Sequence, residues 1–290
     1  METVIAQIKR TIFQKPDTRW GIWDTDLGTC KGVIDFDVAD GDRLRLLGQW
    51  ETSKYNGKRE LNFAHAYPDV PEDLRTLLHY ACSITIGIGD SMEEKIWEAY
   101  DKDWRSDPTL EKISGLRSTA RFNWGETLKR LETHAIQAKT ISWLMEHGAT
   151  LNMANAAWKA WQADTIKSVS ADPYVLASLP HYGFRDIDES IRRQLGIGDS
   201  DPRRMRAAIM YAIQQVRGQG DTVAPIDSLR ERIEKICPIQ TLKFDSVFET
   251  MIQDGIVSLV EDAENVQILV CLTADMDVER KIGDHFDAMG

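Results

Sequence analysis

A glycine-rich run in the first third of the chain limits the folds that are open to it. Residues 85–91 read TIGIGDS, and the apolar residues that follow, within 92–104, have helical spacing. Glycine has no Cβ atom, so it adopts left-handed backbone conformations and lets other groups approach the chain closely. Ser91 and Glu94 have the spacing of a capping box at a helix start. The run therefore predicts the end of one helix, a tight hairpin and the start of a second helix.

The backbone of such a hairpin is suited to bind an anion. The N–H groups of the hairpin and of the first helical turn lack intrahelical acceptors, and the helix dipole favours negative charge there. Phosphate is the anion that fits best. The run thus predicts a helix-hairpin-helix unit that binds nucleic-acid backbone without reading base sequence. A plain turn between two helices is the alternative that the run alone leaves open.

Residues 1–70 have the period of two that is typical of half-buried strands. Apolar and polar residues alternate at Val4–Ile8, at Arg43–Leu46 and at Leu61–Tyr67. The dipeptides Asp-Gly at 40–41 and Asn-Gly at 56–57 are strong sequence signals for hairpin turns. About five short strands in this length predict a small β-barrel of the oligonucleotide-binding (OB) type.

Residues 71–218 have apolar residues at spacings of three and four, which is typical of amphipathic helices. Asp172-Pro173 and Asp201-Pro202 each predict an N-cap followed by proline at the first helical position. The segment is therefore expected to be a tandem helix-hairpin-helix region.

Residues 219–290 contain two further helical patterns, then two apolar runs that flank EDAEN at 261–265, then a last helical pattern near the end. Two helices and a hairpin predict a winged-helix-like unit. The expected fold class is mainly α, with an OB-like β-barrel at 1–70, the helical region at 71–218 and the winged-helix-like unit at 219–290.

The net charge of −11 by itself argues against a nucleic-acid ligand. However, the acidity is concentrated near the C-terminus. Residues 221–290 hold 15 Asp and Glu against 6 Lys and Arg, whereas residues 135–220 hold 8 against 10. A local basic face can still bind phosphate when the whole chain is acidic.

Several other classes of protein do not fit the sequence. The four cysteines are far apart and form no CxxC motif, and the first residues do not resemble a secretion signal, so reduced thiols in a cytoplasmic protein are expected. No apolar run reaches about 18 residues, so no membrane partner is expected. The Asp-x-Asp pairs and the six histidines show no metal-ligand spacing that favours a nuclease, and neither a cofactor nor a catalytic residue is predicted.

The order of these parts resembles the N-terminal, pre-motor region of long RecD-like superfamily-1 DNA helicases, over essentially the whole chain. Residues 48–58 are similar to that family's G-x-W and K-Y-G segment, and GIG at 87–89 with EKI at 94–96 is similar to its first hairpin. The most specific likeness is DPYVLASLPHYGFRDIDESIRRQLGI at 172–197, with DPRRMRAAIMYAIQQVRGQGDT at 201–222. The resemblance implies a non-catalytic, DNA-binding part of an ATP-dependent 5′-to-3′ helicase that acts in DNA repair and recombination.

The chain departs from the family pattern at two hairpins. The second reads Ser-Gly-Leu-Arg at 114–117 where the family has Gly-x-Gly, and the third begins with His181, so that only Gly183 of that glycine pair remains. Backbone contact with phosphate is expected to be weaker at both. Arg117 is a candidate for a side-chain contact in its place.

The motor of the family is not found in this sequence. A P-loop requires G-x-x-x-x-G-K-[ST], but the only Gly-Lys pair, Gly57-Lys58, is followed by Arg59. No ATPase activity is therefore expected of this chain alone. The expected partners are single-stranded or forked DNA and a helicase motor domain, in cis or in trans.

The candidate DNA-binding residues belong to the hairpins, to basic positions near them and to the predicted turn before the last barrel strand. They are Gly87, Ile88, Gly89, Ser91, Gly115, Arg117, Arg121, Gly183, Arg185, Lys54, Tyr55, Lys58 and Arg59. Cationic side chains bind phosphates and aromatic rings stack on bases in single-strand sites. For the basic positions, a solvated and ion-paired surface is the alternative. For the whole chain, the alternatives are a protein-docking scaffold or a stand-alone regulator without a motor.

Overall fold

A computed structural model describes residues 2–54, 57–237, 242–262 and 267–287. The chain forms two compact units. The first comprises residues 1–145 with 161–163, and the second comprises residues 146–160 with 164–290. The domain boundaries near residues 70 and 218 stay a prediction.

The N-terminal strands form a closed five-stranded barrel, which confirms the prediction of an OB-like barrel. The strand order is β1-β2-β3-β5-β4, with β4 pairing back to β1. Strands β3 and β5 are parallel, and the other pairs are antiparallel. The strands are β1 (Glu2–Gln14), β2 (Trp20–Thr25), β3 (Gly28–Val33), β4 (Arg43–Thr52) and β5 (Arg59–Pro68).

The alternation that predicted the strands also fills the barrel. Trp23, Leu44 and Leu61 are fully buried, and the Trp23 ring lies 5.7 Å from the ring of Phe63. A Cβ atom at Gly32 would lie 2.3 Å from the Phe63 carbonyl oxygen, so glycine is required where these two strands approach each other.

Three helices follow the barrel in the first unit: α1 (Leu74–Ile84), α2 (Asp90–Tyr100) and α3 (Ser118–Glu146). A short 3-10 helix, Asp101–Ser106, continues from α2. The core between them holds two tryptophans, Trp104 and Trp124, whose ring centroids are 5.7 Å apart.

The second unit begins with a mostly helical part. Its helices are α4 (Leu151–Trp161), α5 (Thr165–Ala171), α6 (Phe184–Ser190) and α7 (Pro202–Arg217). The Asp201 carboxylate accepts from the backbone N–H of Arg203 and caps α7, as predicted. Asp172 likewise caps a 3-10 helix at Pro173–Ser178, where the sequence predicted a helix start.

The last part of the chain has the predicted helices and hairpin together with one strand that was not predicted. It contains β6 (Val223–Pro225), α8 (Ile226–Ile236), α9 (Leu242–Gln253), β7 (Val257–Asp262), β8 (Gln267–Leu272) and α10 (Thr273–Asp287). The sheet order is β6-β8-β7, and both pairings are antiparallel. This arrangement is compatible with a winged-helix-like unit. The turn of the hairpin, at 263–266, lies outside the described residues.

The described part of the chain contains no candidate for a membrane span or for a metal site. None of its helices combines the length and the apolar character that a membrane span needs. Within the same residues, no three His, Cys, Asp or Glu side chains are grouped so that they could hold a metal ion.

Candidate nucleic-acid interface

The first hairpin joins α1 and α2 through a tight turn, as the sequence predicts. Gly87 has a positive φ of 90°, and the Ile88 N–H donates to the Thr85 carbonyl at 3.1 Å. The Ile88 side chain is buried beneath the turn, whereas Ile86 is 81% exposed at its tip. Ile88 therefore anchors the hairpin, and the outer backbone faces solvent.

The two glycines of the hairpin have different roles. Gly87 needs the left-handed conformation, and a Cβ atom there would lie 3.1 Å from the Ala120 Cβ. Gly89 is extended (φ −112°, ψ 175°), and a Cβ atom there would meet nothing within 4 Å. The fold thus requires glycine at 87 but only leaves open space at 89. That space is next to the start of α2.

The open space adjoins backbone donors that the fold does not use. Gly89 is the N-cap of α2, and its carbonyl accepts from the Met92 N–H at 2.8 Å. No group in the described part of the chain accepts a hydrogen bond from the N–H of Gly87, Gly89 or Ser91. These donors fit a bound anion at the start of a helix.

The predicted capping box between Ser91 and Glu94 is wrong. Ser91 lies inside the first turn of α2, because Gly89 takes the N-cap position, and no side chain caps the helix. The Glu94 carboxylate forms an ion pair with Arg75 on α1 instead. The prediction placed the helix start two residues too late.

Helix α3 holds the first hairpin in place. The Thr85 hydroxyl donates to the Ala81 carbonyl at 2.7 Å and forms a hydrogen bond of 3.0 Å with the Thr127 hydroxyl. The Asn123 side-chain amide donates to the Ile86 carbonyl at 2.9 Å. The hairpin backbone is thus ordered before any ligand binds.

The second hairpin has a glycine in the same left-handed conformation but a different sequence. Gly115 has a φ of 81°, near the 90° of Gly87, and Arg117 is exposed at the position that Gly89 occupies in the first hairpin. This arrangement is consistent with the predicted side-chain contact from Arg117, which stays a prediction.

Arg121, another predicted DNA contact, is held by the loop before this hairpin. Its guanidinium donates to the carbonyls of Thr109, Leu110 and Ile113. These bonds favour a role in positioning the loop.

Asp107 orders the same loop. Its carboxylate accepts from the Tyr100 hydroxyl at 2.6 Å and from the Thr109 N–H at 2.9 Å. Burial acts to raise the pKa of Asp107, but these hydrogen bonds outweigh it and hold the pKa well below its ordinary value.

The third hairpin keeps the backbone course despite its changed sequence. His181 has a φ of 70°, and the Tyr182 N–H donates to the Leu179 carbonyl at 3.2 Å, as Ile88 does in the first hairpin. Gly183 is extended and is the N-cap of α6. Its N–H, however, donates to the Asp186 carboxylate at 2.8 Å. That donor is already used, and a negative charge lies beside it.

Two further turns of this type were missed in the sequence. Gly148, between α3 and α4, has a φ of 93°. Gly196 has a φ of 73°, and the buried Ile197 follows it. The signal was present, because GIGDS at 196–200 repeats GIGDS at 87–91 letter for letter. The continuation differs, since the N-cap of α7 is Asp201 and not Gly198.

The predicted barrel site lies at the turn between β4 and β5. Lys54, Lys58 and Arg59 are exposed there, and the Arg59 guanidinium lies 5.0 Å from the centroid of the Trp50 ring. Tyr55 lies outside the described residues. DNA contact by this loop stays a prediction.

A buried ion-pair network holds part of the basic stretch at 185–206. The Asp188 carboxylate forms two bonds of 2.8 Å with the Arg204 guanidinium, and Arg192 lies 3.1 Å away. Burial acts to raise the pKa of Asp188, but the hydrogen bonds from Arg204 and Tyr174 hold it below its ordinary value. Arg185, the predicted contact in this stretch, is exposed and has no ion pair within the described residues.

Residues 133–223 match the family model of the ATP-dependent RecD2 DNA helicase HHH domain, where HHH denotes helix-hairpin-helix. This part of the chain is similar to that domain. It contains the third hairpin and helices α4 to α7, whereas the first two hairpins precede it. Together with the five-stranded barrel, the match supports a likeness to the N-terminal region of RecD-like helicases. No curated protein matches the chain in sequence.

Proposed function

We propose that this chain is a non-catalytic DNA-binding region of a RecD-like helicase and that its first hairpin binds the DNA backbone. The observation that carries the proposal is the set of unused N–H groups at Gly87, Gly89 and Ser91, beside open space at the start of an 11-residue helix. A phosphate oxygen placed there accepts hydrogen bonds from groups that are already ordered. Backbone donors carry no base specificity, so binding is independent of sequence.

The other hairpins add unequal contributions. At the second, the exposed Arg117 supplies a cation in place of the glycine. At the third, Asp186 already accepts from the Gly183 N–H, so phosphate binds there more weakly. Further DNA contacts in this proposal are Arg185 in the second unit and, in the barrel, Lys54, Tyr55, Lys58 and Arg59.

The finer proposals concern the whole helicase. The matched domain is named for an ATP-dependent helicase, which supports a motor domain as partner, in cis or in trans. That motor supplies ATP hydrolysis and 5′-to-3′ movement, and this chain holds single-stranded or forked DNA. The chain itself turns over no ATP. DNA-stimulated ATP turnover by the purified chain contradicts this assignment.

A substitution at Gly89 tests the hairpin directly. Gly89→Asp places a carboxylate at the N-cap, where aspartate is favoured for helix stability but occupies the donors and repels phosphate. DNA affinity is expected to fall by about tenfold, the equivalent of one charge-assisted hydrogen bond. Fluorescence anisotropy with labelled DNA measures the change.

Two controls separate charge from space. Gly89→Asn caps the helix in the same way without the charge, so it is expected to lose less affinity, and the difference between the two variants measures the effect of the charge. Gly218→Asp adds the same charge at an exposed glycine at the end of α7. Equal affinity of the Gly89→Asp variant and the unsubstituted chain contradicts the proposal, provided that both melt at the same temperature.

A second candidate function is a protein-docking scaffold, and one observation favours it. Leu259 on β7 and Ile268 on β8 are each 44% exposed, and Ile268 pairs with the acidic residue Glu261. Exposed apolar side chains on an acidic sheet suit a protein partner better than DNA. Capture of a RecD-like motor domain that survives nuclease treatment, and is lost in a Leu259→Asp, Ile268→Asp variant, supports this candidate.

A further inference from the structure

A pocket beside the third hairpin is lined by three aromatic rings. Its volume is about 200 Å³. The rings of Tyr174 and Phe184 are stacked at 5.5 Å and 9°, and those of Phe184 and Tyr211 at 5.8 Å and 27°. The three rings form one continuous stack within the second unit.

Only one of the three rings is left for a ligand. Phe184 and Tyr174 are 2% and 6% exposed, and the Tyr174 hydroxyl donates to Asp188 at 2.6 Å. Tyr211 ends the stack, is partly exposed, and has no hydrogen-bond partner among the described residues. Core packing therefore accounts for Tyr174 and Phe184, whereas the Tyr211 ring stays partly open to a ligand.

The charges around the pocket restrict what can occupy it. Arg206 lines the pocket, is exposed, and forms no ion pair with any described residue, whereas Arg203 and Arg204 on the same helix are both paired. Asp172 also lines the pocket, and its carboxylate accepts from the Tyr174 N–H at 2.9 Å. A carboxylate in the lining disfavours an anion within the pocket, whereas the exposed guanidinium of Arg206 favours an anion near the surface. The best fit is a flat, uncharged ring with an attached anion.

The pocket is next to the hairpin that a DNA strand would pass. A Cβ atom at Gly183 would lie 3.8 Å from Cε2 of Tyr211, so the ring lies beside the N-cap of α6. A nucleobase with its phosphate has the flat ring and the adjacent negative charge that the lining requires.

We propose that this pocket takes one unstacked base of a single DNA strand, with Tyr211 as the stacking surface and Arg206 on the neighbouring phosphate. The inference rests on the proposed DNA-binding function and deepens it, because bases in an intact duplex are not free to enter. The chain therefore prefers single-stranded DNA over duplex, and the preference depends on Tyr211.

The test compares single-stranded and duplex DNA binding by the full chain. Anisotropy is measured with a fluorescein-labelled oligothymidine and with a labelled duplex of the same length. Tyr211→Ala is expected to lower affinity for the single strand by about tenfold, a usual effect of removing one stacking ring, and to leave duplex affinity unchanged. Tyr211→Phe retains the ring and is expected to bind as the unsubstituted chain does.

Arg206 is tested against a neighbouring arginine. Arg206→Ala is expected to lower the slope of log affinity against log salt by about one for the single strand. Arg193→Ala, an exposed arginine that does not line the pocket, is expected to lower that slope less. A strand with 2-aminopurine adds a direct signal, since its emission should change on binding in a way that Tyr211→Ala abolishes.

The outcomes separate this inference from the proposed function. If Tyr211→Ala binds the single strand as before while Gly89→Asp weakens binding, the pocket proposal is wrong and the hairpin proposal stands. If Tyr211→Ala weakens binding selectively while Gly89→Asp does not, the hairpin proposal is wrong and the pocket stands. Two further results also contradict the pocket proposal. One is that Tyr211→Ala loses as much affinity for duplex as for single-stranded DNA. The other is that Tyr211→Phe loses as much single-strand affinity as Tyr211→Ala.

Discussion

At the scale of single residues, charge in the sequence divides into groups that hold the fold and groups that remain for a ligand. Arg192 and Arg204 are nearly fully buried around Asp188, whereas Arg185 and Arg206 are exposed and have no ion pair with a described residue. Buried charges tolerate the loss of a partner poorly, because the remaining charge is left without solvation. Some arginines of the basic stretch therefore stabilise the fold, and others are exposed and available to a ligand.

The Asp188 network gives a prediction for stability. Asp188→Asn removes the carboxylate shared by two buried guanidinium groups, which then keep only Asp199 as an acidic partner, and is expected to cost about 3 kcal/mol in the free energy of unfolding at pH 7. Urea unfolding followed by circular dichroism measures the change. Affinity of the folded protein for duplex DNA is expected to stay the same, since no residue of the first hairpin is involved and the pocket beside Tyr174 takes no base from a duplex.

The pH dependence of that variant has a definite sign. The pKa of Asp188 is lower in the folded chain than in the unfolded one, so its contribution is complete above the unfolded pKa of about 3.9 and is lost as the pH falls through the folded value. Asp188→Asn should therefore lose less stability than the unsubstituted chain on acidification below about pH 4. If the free energies of unfolding of the two proteins fall in parallel as the pH is lowered, the lowered pKa of Asp188 is contradicted.

At the scale of elements, three hairpins with different sequences share one residue in the left-handed conformation. The residue in the left-handed conformation is Gly87, Gly115 or His181, and in the first and third an extended glycine then caps the next helix. The sequence predicts the first turn well, since glycine spacing is local. It does not show that histidine keeps the same turn, because residues other than glycine adopt a positive φ only rarely.

The partners of polar residues were also beyond local sequence patterns. Arg121 donates to carbonyls 8 to 12 residues away, and Arg204 pairs with Asp188 across 16 positions. The sequence shows where the arginines are, but it does not show which oxygen atoms accept hydrogen bonds from them. The barrel, by contrast, follows from period-two alternation and turn glycines, so its existence was predictable.

The shared turn gives a prediction for His181. Glycine adopts a φ of 70° without the Cβ clash that other residues have, so His181→Gly is expected to stabilise the chain by up to about 1 kcal/mol. Thermal melting is the measurement, and the reverse change, Gly87→His, serves as the control that should destabilise. A lower melting temperature for His181→Gly would show that the imidazole makes contacts worth more than the strain.

At the scale of the whole molecule, DNA binding has to overcome an acidic chain. Residues 221–290 carry 15 acidic against 6 basic residues, which is most of the net charge of −11. Like charge lowers the affinity for DNA most at low salt, because screening limits exposed charges to roughly 8 Å at physiological ionic strength. The affinity at a single salt concentration therefore combines the attraction by the hairpins with the repulsion by the acidic segment.

Neutralising exposed acids tests this view. Glu231, Glu234, Glu249 and Glu261 are exposed and form no ion pair with a described residue. Changing all four to glutamine is expected to tighten DNA binding severalfold at low salt, with a gain that shrinks as salt rises. Anisotropy titrations at several salt concentrations follow the effect. Weaker binding by this variant would mean that the C-terminal segment contacts DNA through these residues.

The central claim is that backbone N–H groups of the first hairpin donate to DNA phosphate, and amide NMR measures those groups directly. Titration of the ¹⁵N-labelled chain with single-stranded DNA should move the Gly89 and Ser91 amide protons downfield as they gain an acceptor. The Gly183 amide holds the same position in the third hairpin but already donates to Asp186, so it should move little. Saturable shifts at Gly89 and Ser91, larger than at Gly183, are the result that the account predicts. Unchanged Gly89 and Ser91 resonances in a chain that binds DNA would contradict it.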